Sequence, residues 1–229
     1  MKDLLEPFLY PQNLLLYGLL LACLLYRKKG LWLLWGFYYL VGNTYIANHA
    51  RLWYQQGISS ATAPASLYVV LGCGGSATQL PACARARIQQ LTAEAAQPGP
   101  VAVLITTRYC QPYLDYLQQQ LPAVVADCFD AGDNTYQEFA SLAPRLAQQR
   151  QIRFITSDFH SWRVSRLIAE YQLDASIGAA SSQTLRPVNC SLNCFFTVNL
   201  SNLDFYSKLT AEFSSYAVYK LGGRKLTGV

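Results

Sequence analysis

The feature that most constrains the fold is a short apolar run that leads directly into glycines. Leu67 to Leu71 are all apolar, two of them are β-branched, and Gly72-Cys73-Gly74-Gly75 follows at once. Such a run predicts a strand buried on both faces, and glycine lets the backbone turn sharply beside a ligand. Because a helical pattern begins near Gln79, strand, turn and helix N-terminus predict an anion-binding corner. A tight first turn of an α/β domain without a ligand is the alternative interpretation.

Strand and helix patterns alternate along the rest of the chain. This order predicts a Rossmann-like parallel sheet flanked by helices, in an α/β domain that covers 66–229. The predicted strands are 67–71, 101–106, 124–128, 152–156 and 175–178. The predicted helices are 79–96, 112–121, 135–149, 162–171 and 203–221.

Polar residues follow the ends of the predicted strands, where parallel α/β sheets bind ligands. We predict that Gly72, Gly74 and Gly75 bind an anionic ligand, together with a second group of polar side chains from two later segments. That second group is Asn134, Thr135, Glu138 and Ser157.

Two further residues are candidates for chemistry. His160 is suited to general acid–base catalysis near neutral pH, or it only orients its turn. Arg163 is suited to a forked contact with a phosphate or carboxylate, or it pairs with Asp158 or Glu170. Asn134 is a helix N-cap as readily as a ligand contact. No metal is predicted, because His49 and His160 are the two histidines of the chain and are not placed to form a zinc site.

The first fifty residues carry two long uncharged runs, 8–26 and 31–47, separated by Arg27-Lys28-Lys29. They predict a transmembrane hairpin over 1–50 and a linker over 51–65. The positive-inside rule places the basic turn in the cytoplasm and the domain outside it. A cleaved signal peptide fits less well, because the basic cluster follows the first apolar run. An interfacial second helix, which would leave the domain in the cytoplasm, is the other alternative.

The composition of the chain argues against one class of partner, and its cysteines suggest two possible roles. The chain is 52% hydrophobic and 14% charged, and its net charge of +5 lies mostly beside the first apolar run, which argues against a nucleic-acid partner. In an oxidising compartment Cys190 and Cys194 are expected to form a disulfide, unless they are two buried thiols. Cys73 is a candidate nucleophile, but no base adjoins it in sequence.

Three motifs occur together in one order: the first strand with its glycines, Asn134-Thr135 at a helix start, and Thr156-Ser157-x-x-His160-x-x-Arg163. Over about 67–171 this pattern resembles the ElyC/SanA/YdcF family, and the two uncharged runs resemble its ElyC-like members. The chain departs from the family where Thr106-Thr107 replaces a Ser-Gly-Gly motif and where the carboxylate of Glu138 is displaced by one position.

The resemblance implies an envelope biogenesis factor that is anchored in the inner membrane by two passes and has a periplasmic domain. Its expected ligand is a phosphorylated lipid carrier such as a polyprenyl phosphate, used in cell-wall or surface polysaccharide synthesis. Its expected partners are the membrane and envelope-synthesis proteins. Two alternatives remain open: a protein that binds S-adenosylmethionine or a nucleotide-like ligand, and a non-catalytic scaffold for envelope enzymes. The cofactor, and whether the protein is an enzyme, stay undecided at this level.

Overall fold

The computed structural model describes residues 6–56, 65–95, 101–190 and 192–222. Its centre is a sheet of five parallel strands in the order β3-β2-β1-β4-β5. This confirms the prediction of an α/β fold with a parallel sheet. The strands are β1 Leu67–Leu71, β2 Val101–Thr106, β3 Val124–Phe129, β4 Ile152–Ser157 and β5 Ala175–Ala180.

Eight α-helices are described, three before the sheet and five within or after it. They are α1 Pro11–Tyr26, α2 Lys29–Gly42, α3 Thr44–Gln56, α4 Ala82–Glu94, α5 Cys110–Gln120, α6 Thr135–Leu146, α7 Asp158–Glu170 and α8 Ser201–Gly222. Short 3-10 helices add Glu6–Leu9 and Leu192–Phe195.

Two helix starts differ from the predictions. Helix α4 begins at Ala82 instead of residue 79, because Pro81, whose extended backbone cannot belong to the helix, takes the N-cap position. Helix α7 begins at Asp158 instead of residue 162, directly after β4 and without a connecting loop. As a result, no helix start follows Gly75 immediately, whereas His160 lies in the first turn of its helix.

Both faces of the sheet are covered by helices. Successive residues of β1 point to opposite faces, so Val69 packs with one buried cluster and Val70 with another. Helices α6 and α7 supply the cluster around Val69 with Phe139 and Leu167, among others. Helices α4 and α5 cover the second face. The sheet is therefore the middle layer of three, as a strand that is apolar at every position requires.

The chain forms two compact units by its contacts, Met1–Gln56 with Gln183–Ala211 and Gly57–Ser182 with Glu212–Val229. The second unit contains the whole sheet. Residues 51–56 of the predicted linker belong to α3, and 57–64 lie outside the described residues. Because compact units are not the same as folding domains, the predicted boundaries at 50 and 65 stay a prediction.

In the first unit, polar side chains from the apolar helices hold the segment 194–198. Asn13 accepts the backbone N–H of Val198 at 2.6 Å, and Asn43 donates to the Cys194 carbonyl at 2.8 Å. Both asparagines are almost completely buried. The polar positions within these helices therefore form specific backbone contacts inside the unit.

Neither of the first two helices reaches the length that a bilayer core requires. Helix α1 has 16 residues and α2 has 14, or about 24 and 21 Å, because Arg27 and Asn43 end them. Across the described part of the chain, no helix combines the length and the apolar character needed to cross a membrane. The predicted transmembrane hairpin thus finds no support in the described helices.

Candidate functional site

A pocket opens at the carboxyl ends of β1 and β2, with a volume of about 460 Å³. In the strand order, β1 lies between β2 and β4, so the chain reverses its winding direction beside this strand. Parallel α/β sheets form their ligand crevices at such reversal points. The pocket therefore lies where the topology alone places a binding site.

The structure brings most of the predicted site residues to this pocket. Six of them line it: Gly72, Gly74, Asn134, Thr135, Glu138 and His160. Gly75, Ser157 and Arg163 are not among its lining residues. Ser157 instead accepts hydrogen bonds from the guanidinium of Arg87 through its hydroxyl oxygen.

The glycine turn differs from the anion-binding corner that the sequence predicts. The N–H of Gly72 is shared by the Thr106 hydroxyl at 3.1 Å and a Glu138 carboxylate oxygen at 3.2 Å. The N–H of Cys73 donates to the Tyr113 hydroxyl at 3.0 Å, and that hydroxyl donates to the carbonyl of Gly74. Two of the turn's amides are therefore used by the protein itself and are not free to bind a ligand.

The side chain of Arg87 also stabilises the glycine turn through hydrogen bonds. Its Nη1 donates to the carbonyls of Leu71 and Gly72 at 2.6 and 2.7 Å, and its side chain is buried. Burial lowers the pKa of Arg87, and the nearby Glu138 carboxylate opposes that shift. The residue therefore fixes the backbone of the pocket and also places a cation in its wall.

Glu138 is the buried carboxyl group of the pocket. Its Oε1 accepts the Thr106 hydroxyl at 3.0 Å in addition to the Gly72 amide. Burial raises the pKa of Glu138, and these hydrogen bonds and the charge of Arg87 offset part of that shift. This side chain therefore holds a proton more tightly than an exposed glutamate does.

The N-terminus of α6 forms another wall. The side chain of Asn134 accepts the N–H groups of Tyr136 and Gln137 at 3.1 and 3.0 Å, so it is the N-cap of this helix. Asn134 and Thr135 also line the pocket. The two interpretations of Asn134, cap and pocket residue, are thus compatible.

Arg163 does not lie in a solvated cleft as predicted. Its side chain is 12% exposed, and its Nε lies 3.1 Å from Oε2 of Glu212 in α8. Its Nη1 donates to the Ser215 hydroxyl at 2.9 Å. The predicted partners Asp158 and Glu170 bond elsewhere, to the amide of Ser182 and to Lys220. Arg163 belongs to a buried ion-pair network behind His160 and is not among the residues that line the pocket, so its direct contact with a ligand stays a prediction.

His160 connects that network to the pocket. Its Nδ1 lies 2.7 Å from Oε1 of Glu212, and its half-buried ring lines the pocket. Sequence reasoning missed Glu212, which is 52 residues further along the chain. The one signal for it in the sequence is a carboxylate at helical spacing from the aromatic residues Phe205, Tyr216 and Tyr219.

Arg108 lies at the rim. It forms ion pairs with Asp130 at 3.7 Å and with Asp133, and its side chain is about half exposed. Sequence reasoning also missed this residue, although it follows β2 directly. As an exposed guanidinium at the mouth of the pocket, it is free to exchange its aspartate partners for a ligand anion.

Two disulfides flank the pocket. Cys73 pairs with Cys83 and Cys110 with Cys128, with Cα separations of 6.2 and 5.7 Å. The first excludes Cys73 as a free nucleophile in this state and ties the glycine turn to α4. The second ties the start of α5 to β3. Cys190 and Cys194 also form a disulfide, which is one of the two alternatives considered above.

The described residues contain no group of three histidine, cysteine, aspartate or glutamate side chains that could hold a metal ion. The charged and titratable groups that line the pocket include the imidazole of His160, the buried carboxyl of Glu138, the exposed carboxylate of Asp133 and the guanidinium groups of Arg87 and Arg108. When the chain is compared with family models, with curated proteins and with solved structures, no match is found in any of the three.

Proposed function

We propose that this protein is a membrane-anchored envelope biogenesis factor whose α/β domain lies outside the cytoplasm and binds a phosphorylated lipid carrier. The observation that carries the proposal is the charge of the pocket. Arg87 and Arg108 both line it, against one exposed carboxylate, that of Asp133. The N-terminus of α6 faces the pocket, and burial disfavours the charged form of Glu138. The resemblance of its motifs to the ElyC/SanA/YdcF family agrees with this assignment.

A phosphate suits these groups better than a neutral ligand does. Guanidinium groups form forked, charge-assisted hydrogen bonds to phosphate oxygens, and helix N-termini favour anions. Arg108 is the accessible partner, since it is half exposed, whereas Arg87 donates to Leu71, Gly72 and Ser157 and contributes mainly its charge. The ligand's phosphate is therefore expected against Arg108, with its lipid tail outside.

The first unit supports attachment to a membrane. Helices α1 and α2 are apolar around their whole circumference, and many of their large side chains are exposed in the isolated chain: Leu14, Leu15, Leu21, Leu24, Leu25, Leu33, Leu34, Phe37 and Leu40. Apolar surface of this kind requires an apolar surrounding. We propose that these helices insert into the bilayer, which thins locally around helices shorter than its core, with Arg27 and Lys28 on its cytoplasmic side.

The disulfides support the location of the domain. The structure pairs six of the seven cysteines, and all three pairs lie after the apolar helices. Structural disulfides persist in oxidising compartments and are rare in the cytoplasm. A reporter fused after Val229 is therefore expected to report the outside of the cytoplasmic membrane, and one fused at Lys28 the cytoplasm; the reverse pattern would overturn this placement.

Binding measurements test the ligand. Full-length protein in lipid nanodiscs is titrated with a polyprenyl phosphate, with the matching polyprenol and with S-adenosylmethionine. Only the phosphate is expected to bind, and Arg108→Gln is expected to weaken binding about 10- to 150-fold, the value of one charge-assisted contact. Arg150→Gln, an exposed arginine outside the pocket, is the matched control.

Equal binding of the polyprenol and the phosphate would show that the pocket does not recognise phosphate and would overturn the proposal. Binding of S-adenosylmethionine alone would favour a nucleotide-like ligand instead. If neither binds, and His160→Ala leaves envelope function intact in cells, a non-catalytic scaffold becomes the better interpretation.

A further inference from the structure

His160 and Glu212 form a carboxylate–imidazole pair at the wall of the pocket. The distance from Nδ1 to Oε1 is 2.7 Å, and the Glu212 side chain is only 7% exposed. The imidazole itself is 37% exposed and lines the pocket. One ring nitrogen is thus held by the protein interior while the opposite edge of the ring is accessible.

The contacts at Nδ1 determine which nitrogen carries the proton. Arg163 Nη2 lies 2.9 Å from Nδ1, and a guanidinium can only donate. A bare Nδ1 would accept from Arg163 but would place its lone pair 2.7 Å from a carboxylate oxygen. A protonated Nδ1 donates to Glu212, and Arg163 Nη2 then donates to the same carboxylate at 3.3 Å. We assign the proton to Nδ1, because this arrangement removes the contact between two acceptors at 2.7 Å, and the two donors, which lie 2.9 Å apart, then share the Glu212 carboxylate.

The second nitrogen, Nε2, then keeps its lone pair for the pocket. Among the described residues it has no hydrogen-bond partner. Two other nucleophilic groups of the pocket are engaged: the Cys73 sulfur is in a disulfide, and the Thr106 hydroxyl is bonded to Glu138. A neutral imidazole is nucleophilic without a separate base, whereas a hydroxyl needs one.

We propose that His160 is a catalytic nucleophile that takes a phosphoryl group from a phosphate monoester, and that Glu212 and Arg163 are its positioning residues. The substrate class rests on the phosphorylated ligand proposed above. Glu212 fixes the ring so that Nε2 faces the pocket, and Arg163 holds Glu212 in place through an ion pair with its second oxygen, Oε2.

The first chemical step transfers the phosphoryl group. The Nε2 lone pair attacks phosphorus, a P–N bond forms, and the P–O bond to the alcohol breaks. The electron pair of that bond stays on the leaving oxygen, which takes a proton from the carboxyl group of Glu138. The guanidinium groups of Arg87 and Arg108 balance the charge of the phosphoryl oxygens.

The second step regenerates the enzyme. Water attacks phosphorus while the Glu138 carboxylate accepts one of its protons. The P–N bond breaks, and its electron pair returns to Nε2. The net reaction is monoester plus water to alcohol plus phosphate. Burial supports this role of Glu138, because it raises the pKa of the carboxyl and lets it hold the proton to be donated.

Trapping the intermediate tests the nucleophile directly. Full-length protein in nanodiscs is mixed with p-nitrophenyl phosphate or with farnesyl phosphate, quenched in base and digested for mass spectrometry. We expect an acid-labile phosphoryl group on the peptide that contains His160. His160→Asn should abolish the label, whereas His49→Asn, the matched control, should label like the wild type.

The positioning role needs a second measurement. Glu212→Gln is expected to lower kcat by about 100-fold or more, because the ring loses its orienting carboxylate. Glu170→Gln, which removes another carboxylate between α7 and α8, should remain near the wild-type rate. In the His49→Asn background, ¹⁵N spectra of the remaining histidine should show the Nδ1–H tautomer, and Glu212→Gln should abolish that signature. The spectrum of the protein with Glu212 intact needs no turnover, and it decides the tautomer even where Glu212→Gln folds poorly.

The outcomes separate this inference from the proposed function. Binding of the phosphorylated lipid without any label on His160 would overturn the inference and leave the binding function standing. Turnover without a phosphohistidine, or an Nε2–H tautomer in the wild type, would also overturn it. Loss of lipid binding would instead contradict the proposed function, and labelling by p-nitrophenyl phosphate would then decide the nucleophile on its own.

Discussion

The carboxylate of Glu138 and the hydroxyl of Thr106 meet at 3.0 Å, at the point where β2 ends and α6 covers the sheet. Folding therefore buries the ionisable carboxyl group of Glu138 in the wall of the pocket. Because burial raises the pKa of Glu138 above its ordinary value of 4.5, the folded protein binds this proton more tightly than the unfolded chain does.

The first prediction follows from that linkage. The contribution of Glu138 to stability is complete below about pH 4.5 and declines as the pH rises through the folded-state value. In Glu138→Gln, which retains the Oε1 acceptor, the free energy of unfolding should depend less steeply on pH in this range. Urea unfolding at a series of pH values measures the slope, and Glu170→Gln serves as the control. Equal slopes in the wild type and Glu138→Gln would contradict the prediction.

The second prediction concerns Arg87. Replacing it with methionine leaves the carbonyls of Leu71 and Gly72 without their donors in a buried position. We expect a loss of about 3–5 kcal/mol in the free energy of unfolding. Arg85→Met, on the exposed side of the same helix, should change it by about 0.5 kcal/mol or less. Chemical denaturation measures the free energy of unfolding of both variants. Similar losses in the two would show that the hydrogen bonds of Arg87 do not stabilise the turn.

The third prediction separates two glycines of one turn. A Cβ at Gly72 would collide with the backbone carbonyl oxygen of Thr106, so Gly72→Ala should cost about 3 kcal/mol or more. At Gly74, a Cβ would meet open space, and only its φ of +69° is unfavourable, which costs about 1–2 kcal/mol. Thermal unfolding of both variants measures the difference. The opposite ranking would mean that the turn packs differently against β2.

The fourth prediction uses the disulfides. Under denaturing, non-reducing conditions, one free thiol per chain is expected, that of Cys23. Replacing Cys110 and Cys128 with serine opens a loop with a sequence separation of 18 and should cost about 3 kcal/mol. The same change at Cys190 and Cys194, with a separation of 4, should cost about 1 kcal/mol less. Several free thiols in protein recovered from an oxidising compartment would contradict the pairing.

The strands could be predicted because each combines a local apolar run with a clear break. Leu67–Leu71 and Val101–Thr106 have the predicted bounds, since glycine follows one and a Pro-Gly-Pro segment precedes the other. The starts of the helices are predicted less accurately than the strands. Pro81 is an N-cap, and α7 follows β4 without a loop, and both features depend on backbone geometry that the spacing of apolar residues does not reveal.

The site could be predicted in position but not in its connections. The segments that follow strands are identifiable from sequence, and His160 and Glu138 lie in the helices that follow β4 and β3. The partners of the pocket residues come from distant segments. Glu212 in α8 pairs with His160, and the hydroxyl of Tyr113 in α5 accepts a hydrogen bond from the amide of Cys73. For that reason Arg163 was interpreted as a ligand contact, although its charge is balanced within the protein.

The pairing of the cysteines also bears on how the chain matures. Six cysteines allow fifteen sets of three disulfides, and this chain uses the one set in which each cysteine joins its nearest unpaired neighbour along the chain, 73 with 83, 110 with 128 and 190 with 194. A chain that is synthesised from its N-terminus therefore presents both members of each pair before the next pair emerges. Oxidation in that order is sufficient to reach the native set, and no step of shuffling by an isomerase is required.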